Sequence, residues 1–311
     1  MSASNFQPVI SRRGLLGAAG VATLASLGLT ACGGSKTGAG SAASNKPVVV
    51  GSKAFTEGEI LSEIYALALE DAGIPVTRKF EISGSIIHQS LTEGDIDLYP
   101  EYTGTGLLNV LKMPAESDPE QVYKTVKSEY EKQFKLTWLD ESSASDGQGL
   151  VITTKASKAL GITTISQLQE HAGEISFASQ GQFDEREDSL PALEKVYGAF
   201  NWKSHKVYDE GLKYTVLEND EADVTPAYTT EAQLSKPEFT LLEDDKKVWP
   251  PYNVAPVVRD ETLKAYPEIE DALNRVSKAL DTATLTKLNA RVDLDKEDFE
   301  DVAADFFDSI A

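Results

Sequence analysis

The sequence has very few of the residues that build metal centres and covalent cross-links. Its 311 residues include one cysteine, Cys32, and three histidines. A single cysteine excludes an internal disulfide bond and a zinc site built from several thiolates. His88, His171 and His205 lie far apart in the sequence and show no metal-ligand spacing. We therefore predict that the protein holds no metal and no cofactor.

Positive charge is also scarce. The chain has 29 Lys and Arg against 50 Asp and Glu, which gives a net charge of −21. Residues 1–31 hold two of the basic residues and no acidic one, so a chain without them would carry −23 (27 minus 50). A polyanionic surface repels the phosphate backbone, which excludes nucleic acid as a partner. The same field favours a cationic ligand.

Recognisable catalytic motifs are missing as well. The sequence shows no nucleophile–base pair, no phosphate-binding glycine loop and no hydrolase motif among its many carboxylates. We predict a monomeric binding protein without catalytic residues. An extracytoplasmic sensor or enzyme domain that reuses the same scaffold stays open as an alternative.

The N-terminus has the pattern of a secretory signal. Arg12 and Arg13 precede an uncharged segment that runs to Ala31. Two arginines followed by an apolar stretch fit a twin-arginine signal, although general secretion is also open. The apolar stretch is rich in Gly and Ala, which makes it a poor permanent transmembrane helix. We predict that residues 1–31 are a signal peptide.

The segment 29–34, which contains Cys32, resembles the lipobox of bacterial lipoproteins. The resemblance implies that Cys32 is lipidated and becomes the first residue of the exported protein. Acyl chains contribute about 0.8 kcal/mol per buried CH₂, so two or three chains give a stable anchor. Residues 32–46 consist mostly of Gly, Ser, Ala and Asn, which predicts a flexible tether. We expect a protein held on the extracytoplasmic face of the cell membrane.

From Pro47 onward, β-branched runs alternate with segments of helical periodicity, which predicts an α/β fold with parallel sheets covered by helices. Thr56 and Glu59 form a capping-box pattern ahead of the first helix. The predicted strands are 48–51, 76–80, 96–99, 149–153, 174–178, 205–208, 223–225 and 254–258. The predicted helices are 57–72, 86–91, 165–171, 190–197, 212–219, 267–280, 284–292 and 296–310.

These elements divide into two groups, which predicts two α/β lobes joined by two chain crossings. We expect lobe 1 to contain residues 47–145 and 250–311, and lobe 2 to contain residues 146–249. The crossings are predicted near 142–145 and near 247–251. Ligands of such folds bind at the carboxyl ends of strands and in the cleft between lobes, so the loops there are the candidate site.

The residues in those loops suit a ligand that carries both charges. A quaternary ammonium cannot donate a hydrogen bond from its nitrogen, and aromatic faces hold it with about 0.5–2 kcal/mol each. Tyr102, Tyr228 and Tyr252 are placed to supply such faces. Lys53 and Arg186 are placed to hold a carboxylate, Arg186 through its bidentate fork. A cage for a cation combined with a clamp for an anion describes a betaine.

Four segments resemble the glycine betaine/choline/carnitine-binding proteins of osmoprotectant ABC importers. They are GSKAFTE at 51–57, GDIDLYPEYTGT at 94–105, LEDDK at 242–246 and PPYNVAP at 250–256. The likeness runs from about Val48 to the end of the chain. It implies a type II periplasmic-binding-protein fold that closes like a clamshell. It also implies capture of compatible solutes such as glycine betaine, proline betaine, choline or carnitine, and delivery to an ABC permease subunit.

The resemblance also implies roles for individual residues. Carried onto matching positions, Tyr102, Tyr228 and Tyr252 would form a tyrosine cage. Lys53, Thr105 and Arg186 would contact the ligand carboxylate.

One position departs from the pattern of the family. Gln148 stands where many relatives have a cage aromatic, and Asp146 adds negative charge nearby. An amide wall would be more polar and less selective for three methyl groups. The alternative of another ligand in the same fold, such as an amino acid, a thiol-histidine betaine or a polyamine, therefore stays open.

Overall fold

The computed structural model describes residues 46–311. The predicted signal peptide, the lipidation site Cys32 and all of the predicted tether except Lys46 lie outside the described residues. The carbonyl oxygen of Lys46 accepts a hydrogen bond of 2.8 Å from the Tyr266 hydroxyl. None of the helices within residues 46–311 combines the length and the apolar character that a bilayer-spanning segment requires.

The described residues alternate between strands and helices throughout. The strands are β1 Val48–Lys53, β2 Val76–Ile82, β3 Leu98–Tyr102, β4 Leu136–Trp138, β5 Gln148–Thr153, β6 Ser176–Ser179, β7 Ser204–Val207, β8 Val224–Tyr228, β9 Phe239–Leu241 and β10 Val254–Arg259. The helices are α1 Thr56–Asp71, α2 Ile87–Glu93, α3 Thr103–Thr105, α4 Pro119–Phe134, α5 Thr154–Leu160, α6 Ile165–Glu170, α7 Gly181–Glu185, α8 Leu190–Tyr197, α9 Lys213–Glu218, α10 Asp260–Ala265, α11 Glu268–Ala279, α12 Thr282–Asp293 and α13 Phe299–Ile310. A π-helical turn, Gly106–Val110, continues α3.

The strands form two five-stranded sheets with the same arrangement. The first sheet has the order β2-β1-β3-β10-β4 and belongs to lobe 1, and the second has the order β7-β6-β8-β5-β9 and belongs to lobe 2. Four strands of each sheet run in the same direction, as expected for parallel sheets. β10 and β5 run antiparallel to their neighbours, so each sheet is mixed, and the prediction of parallel sheets holds only for the other strands. Each of these two strands is the one that enters its lobe directly from a chain crossing.

Apolar residues cover both faces of the first sheet because side chains alternate along each strand. Leu98, Val254 and Val258 pack into a core with α1, α11, α12 and α13. Tyr99, Ala255 and Val257 point to the other face and pack with α2 and α4. The second sheet is likewise covered on both faces.

Two strands continue through a proline beyond their predicted ends. Pro100 was expected to end a strand, but β3 continues through it to Tyr102. Pro100 lies opposite Pro256 on β10. In an antiparallel ladder, every second facing pair exchanges no N–H···O bonds, and the two prolines occupy such a pair. Neither proline therefore interrupts the ladder between these strands. In lobe 2, β8 likewise continues through Pro226 to Tyr228.

Several elements were not predicted: α4, α5, α10, β4 and β9, together with the short helices α3 and α7 in expected loops. The predicted capping box at Thr56 is wrong. The residue before α1 is Phe55, which makes no side-chain cap. Thr56 is already helical, and its hydroxyl donates to Asp293 Oδ1 at 2.7 Å.

Two extended segments connect the lobes and bond to each other. Ser145 and Asn253 form an isolated antiparallel bridge. The N–H of Val254 donates to the Ala144 carbonyl at 3.0 Å, and the N–H of Asp146 donates to the Tyr252 carbonyl at 3.1 Å. The paired crossings therefore form a narrow ribbon at the junction of the lobes. The exact lobe boundaries stay a proposal.

Candidate functional site

In each sheet, the strands bring side chains to the edge that lines the same cavity. Lys53 ends β1, Tyr102 ends β3 and Tyr228 ends β8. The antiparallel strands start at the same edge, because Gln148 at the start of β5 pairs with Tyr228, and Val254 at the start of β10 pairs with Tyr102. Sheet topology alone therefore gathers residues that are distant in sequence.

A cavity of about 530 Å³ opens at this edge. Its size lies within the usual range of small-molecule sites. Residues from both sheets, from the first crossing and from α12 line it. The lining includes all seven residues that were predicted as ligand contacts: Lys53, Tyr102, Thr105, Gln148, Arg186, Tyr228 and Tyr252.

Tyr252 lies in the second crossing and is held close to the backbone of lobe 1. Its N–H donates to Ser145 Oγ at 3.1 Å. A Cβ added to Gly104 would lie 2.7 Å from atoms of the Tyr252 ring, so this close approach requires glycine. Burial raises the pKa of Tyr252 to about 12, which keeps its phenol protonated.

Tyr228 and Gln148 form a cross-strand pair on the side of lobe 2. Tyr228 is 43% exposed, and the Lys213 ammonium lies 5.9 Å from the centre of its ring. The Gln148 amide oxygen accepts from the Ser189 hydroxyl at 2.9 Å. Its amide nitrogen lies 3.4 Å from Asp188 Oδ2. Gln148, the residue that differs from the family pattern, is therefore hydrogen-bonded to lobe 2 and also lines the cavity.

Tyr102 is buried against other groups of the protein. The Lys53 ammonium lies 4.8 Å from the centre of the Tyr102 ring, and the Phe55 ring lies 6.3 Å away. The Tyr102 hydroxyl donates to Glu57 Oε1 at 2.8 Å. One cation–π position on this ring is thus already taken by a cation of the chain itself.

Lys53 forms a buried ion pair with Glu101. The two charged atoms lie 2.5 Å apart. Glu101 is 1% exposed, and it also accepts from the Tyr99 hydroxyl and from the Tyr102 N–H, both at 2.8 Å. The ammonium predicted to hold a ligand carboxylate is therefore already neutralised by a protein carboxylate.

Arg186 also has a carboxylate partner, but in an exposed position. Its Nε and Nη2 donate to the two oxygens of Asp188 at 2.9 Å and 2.6 Å. The side chain of Arg186 is 48% exposed and that of Asp188 is 39% exposed. Arg186 itself lines the cavity, where a ligand can reach it.

A second group of cavity residues is acidic. Glu57 is buried, and it accepts from the Tyr102 hydroxyl and from Asn289 Nδ2, both at 2.8 Å. Asp146 accepts from the Thr230 hydroxyl at 2.7 Å. Burial raises the pKa of Glu57. Burial, with repulsion from Glu57, raises the pKa of Asp146 to about 8. Excess negative charge in this part of the cleft favours protons or other cations.

Sequence reasoning assigned no ligand role to four of these cavity residues: Phe55, Glu57, Thr230 and Asn289. Two of them, Phe55 and Glu57, lie in the motif 51–57, so the motif itself was a usable signal. Thr230 follows the strand-end tyrosine Tyr228. Asn289 lies on α12, 232 residues after its partner Glu57, and no local pattern marks it.

The three histidines lie elsewhere. His171 contacts Glu174, and His205 contacts Asp184. His88 packs edge-on against Tyr130 and Phe134. Over residues 46–311, no group of three or more His, Cys, Asp or Glu side chains is arranged to hold a metal ion.

A family model agrees with the resemblance seen in the four sequence segments. It is described as the substrate binding domain of ABC-type glycine betaine transport systems, and it matches residues 46–309.

Curated relatives share about a third of their residues with this chain. A Helicobacter pylori (strain G27) protein named ergothioneine transport permease/ergothioneine binding protein EgtU is 35% identical over 267 residues. The match covers 85% of this chain and 48% of that relative, so this chain spans about half of its length. The carnitine transport binding protein OpuCC of Listeria monocytogenes serotype 1/2a (strain 10403S) is 31% identical over 254 residues, which cover 80% of this chain and 82% of that relative.

A solved structure confirms the predicted two-lobed α/β fold. The crystal structure of a glycine betaine/carnitine/choline ABC transporter matches with a TM-score of 0.80 at 25% identity. The match covers 84% of this chain and 98% of that chain.

Proposed function

This chain belongs to the family of substrate-binding domains of ABC-type glycine betaine transport systems, and from that premise we propose that it captures a small quaternary-ammonium solute outside the cytoplasm for an ABC importer. Glycine betaine, proline betaine, choline and carnitine are the solutes of this type. Substrate-binding proteins of this family work outside the cytoplasm and serve transport.

One observation carries the proposal: aromatic and acidic side chains from separate segments line the same cavity. Tyr228, Tyr252 and Tyr102 are all part of its lining, and Phe55 adds a fourth ring. Each face stabilises a desolvated ammonium by up to about 2 kcal/mol. Nearby carboxylates, among them Glu57, add long-range attraction for the cation.

The carboxylate end of a betaine would meet Arg186, with Thr105 and Lys53 in supporting positions. Arg186 is the better placed of the two cations to bind a ligand carboxylate. Its guanidinium is half-exposed, and its ion pair with Asp188 is exposed as well. A ligand carboxylate can share or replace this partner at small cost, since exposed ion pairs contribute only about 0–1 kcal/mol.

Delivery would follow from closure of the two lobes around the solute. The paired crossings, bridged at Ser145 and Asn253, are the natural hinge. The closed form would dock on the transmembrane subunit of the importer as a monomer. Export by the signal 1–31 and lipidation of Cys32 would hold the protein at the outer face of the membrane. No role as an enzyme is proposed.

A second candidate ligand is a thiol-histidine betaine. Gln148 occupies a position where many members of the family have an aromatic residue. Its amide gives the cavity a polar wall suited to a larger and more polar solute. The Helicobacter pylori relative named for ergothioneine, which is such a betaine, supports this candidate. Under this alternative, the cage for the methylated nitrogen would be kept.

Isothermal titration calorimetry with the purified protein tests the proposal. The panel contains glycine betaine, proline betaine, carnitine, choline and ergothioneine, with glycine and histidine as unmethylated controls. We expect at least one methylated solute to bind about tenfold or more tightly than its unmethylated control. Failure of every methylated solute to bind, or chemical conversion of a bound solute, would overturn the proposal.

A further inference from the structure

Asn289, which lies on α12 beside the cavity, carries a buried acceptor without a hydrogen-bond donor in the described part of the chain. Its Nδ2 donates to Glu57 Oε2 at 2.8 Å and to the Thr230 carbonyl at 2.9 Å. The Thr230 carbonyl can only accept, so it fixes which end of the amide is the nitrogen. The amide oxygen then faces away from both partners, is buried, and has no hydrogen-bond donor within residues 46–311. Asn289 itself is 5% exposed and lines the cavity.

The cavity that Asn289 lines is rich in carboxyl groups. Glu57, Asp146 and Glu231 contribute carboxylates to the same cavity. Glu231 is bonded to Lys213 and to the Tyr214 hydroxyl, and Glu57 is bonded to Asn289. A carboxyl group offers about four lone-pair positions when it is ionised and still has acceptor lone pairs when it is protonated, so acceptor capacity remains on each of them.

A methylated ammonium cannot satisfy these acceptors, because its nitrogen carries no hydrogen. It would leave the Asn289 oxygen buried without a donor, which carries a desolvation penalty. The charges point the same way. The cavity is lined by Glu57, Asp146, Glu231 and Asp293 against two cations, and both cations already have carboxylate partners.

We propose that Glu57, Asp146, Glu231 and Asn289 form an acceptor subsite, which binds a nitrogen that carries hydrogen atoms on the same ligand. The inference rests on the proposed function, because the aromatic rings would hold the methylated ammonium of that ligand. The substrate class is then a betaine whose side chain bears an N–H group. An imidazole and an aliphatic ammonium both provide this chemistry.

Two matched pairs of ligands test the subsite by calorimetry. Each pair shares the α-trimethylammonium and carboxylate groups, and only one member carries a side-chain N–H. Histidine betaine is compared with phenylalanine betaine, and α-trimethyl-lysine with the betaine of norleucine. We expect the N–H member of at least one pair to bind about tenfold more tightly, which corresponds to about 1.4 kcal/mol. The pair that shows the preference tells whether the subsite takes an imidazole or an ammonium.

Variants assign the preference to the subsite. Asn289→Leu removes the acceptor at similar volume, and we expect it to reduce the preference to about threefold or less while phenylalanine betaine still binds. Asp146→Asn keeps an acceptor for Thr230 but removes the charge that Asp146 carries above its pKa of about 8, and it is measured near pH 9 as a second variant should the first fail to fold. Asn274→Leu is the control, because Asn274 accepts from the Asp140 N–H away from the cavity. The control should keep the full preference.

The outcomes separate the two proposals. Binding of phenylalanine betaine or choline without any preference in either pair would overturn the acceptor subsite alone. A preference that survives in both Asn289→Leu and Asp146→Asn would overturn its assignment to these residues. Failure of every methylated ligand to bind would overturn the proposed function, and the subsite with it.

Discussion

The two walls of the cleft hold their cations in different ways. On the wall of lobe 1, Lys53 and Glu101 form an ion pair with side-chain exposures of 11% and 2%. On the wall of lobe 2, Arg186 and Asp188 form an ion pair with exposures of 48% and 39%. The sequence suggested equal roles for the two cations. The structure makes one of them part of the interior of its lobe and leaves the other at the surface.

The difference shows how one cleft can be both rigid and adaptable. A buried ion pair cannot separate without leaving an uncompensated charge, so the lobe 1 wall keeps its geometry before the ligand arrives. An exposed pair is screened by water and exchanges partners at little cost. We therefore expect lobe 1 to provide the preorganised wall and lobe 2 to provide the wall that adjusts to the ligand.

The largest expected effect is on stability. Lys53→Met leaves Glu101 buried without its cation and should lower the free energy of unfolding by about 3–5 kcal/mol. Arg186→Met should lower it by about 1 kcal/mol or less. Urea unfolding followed by circular dichroism measures both. Lys53→Met/Glu101→Gln should recover part of the loss. Equal losses for the two single variants would break the comparison of the walls.

The next effect concerns the aromatic rings. Tyr228→Ala and Tyr252→Ala should each weaken binding of the true ligand about tenfold or more, because each removes a face from the cation. Tyr228→Phe and Tyr252→Phe keep the faces and should stay within about threefold of the parent. Calorimetry on all four variants measures this. Parent-like affinity in both alanine variants would show that the rings do not hold the ligand.

A smaller and more selective effect is expected at Arg186. Arg186→Ala should weaken a carboxylated ligand about tenfold while changing choline about twofold or less, because choline lacks the group that the fork binds. The ratio of the two losses is the measurement. Equal losses for both ligands would remove the clamp role of Arg186.

The smallest effect is a dependence on pH at the acidic part of the cleft. The pKa of Asp146 is raised from its ordinary value of 3.8 to about 8, chiefly by burial and then by Glu57. The unfolded chain ionises Asp146 near pH 3.8 and the folded chain near pH 8, so the stabilisation from its protonation is fully present below 3.8 and is lost progressively as pH rises to about 8. The advantage of Asp146→Asn over the parent in melting temperature should therefore grow by about 5 °C between pH 6 and pH 8 and stay constant from there to pH 9.

Differential scanning fluorimetry across that range, without ligand, follows the difference between the two proteins. A constant difference from pH 6 to 9 would contradict the raised pKa of Asp146.

Strong local patterns were enough to predict much of the fold. Helix α8 has the predicted bounds, because Leu190, Leu193 and Tyr197 repeat at helical spacing and are all buried. Helix α4 was missed because its 16 residues bury only Val122, Val126 and Tyr130 among many charged residues. Pro100 and Pro226 hid the ends of two strands, since the effect of a proline depends on the partner strand opposite it.

The positions of the site residues could be predicted better than their partners. All seven predicted residues line the cavity. Strand ends and loops are recognisable in sequence and pointed to five of them, and the family resemblance added Thr105 and Gln148.

Lys53 and its partner Glu101 are 48 residues apart in the sequence, and Glu57 and its partner Asn289 are 232 residues apart. Such pairs form only through tertiary packing. They decide which charges remain available to a ligand, and no local pattern contains that information.

The central claim is that aromatic rings in the cleft enclose a permanently charged, methylated nitrogen. The most direct test compares the tightest-binding solute of the calorimetry panel with its analogue in which carbon replaces that nitrogen. For glycine betaine the analogue is 3,3-dimethylbutanoate, which has the same shape without the positive charge. We predict that the charged solute binds about tenfold or more tightly. Equal affinity for the two would contradict it.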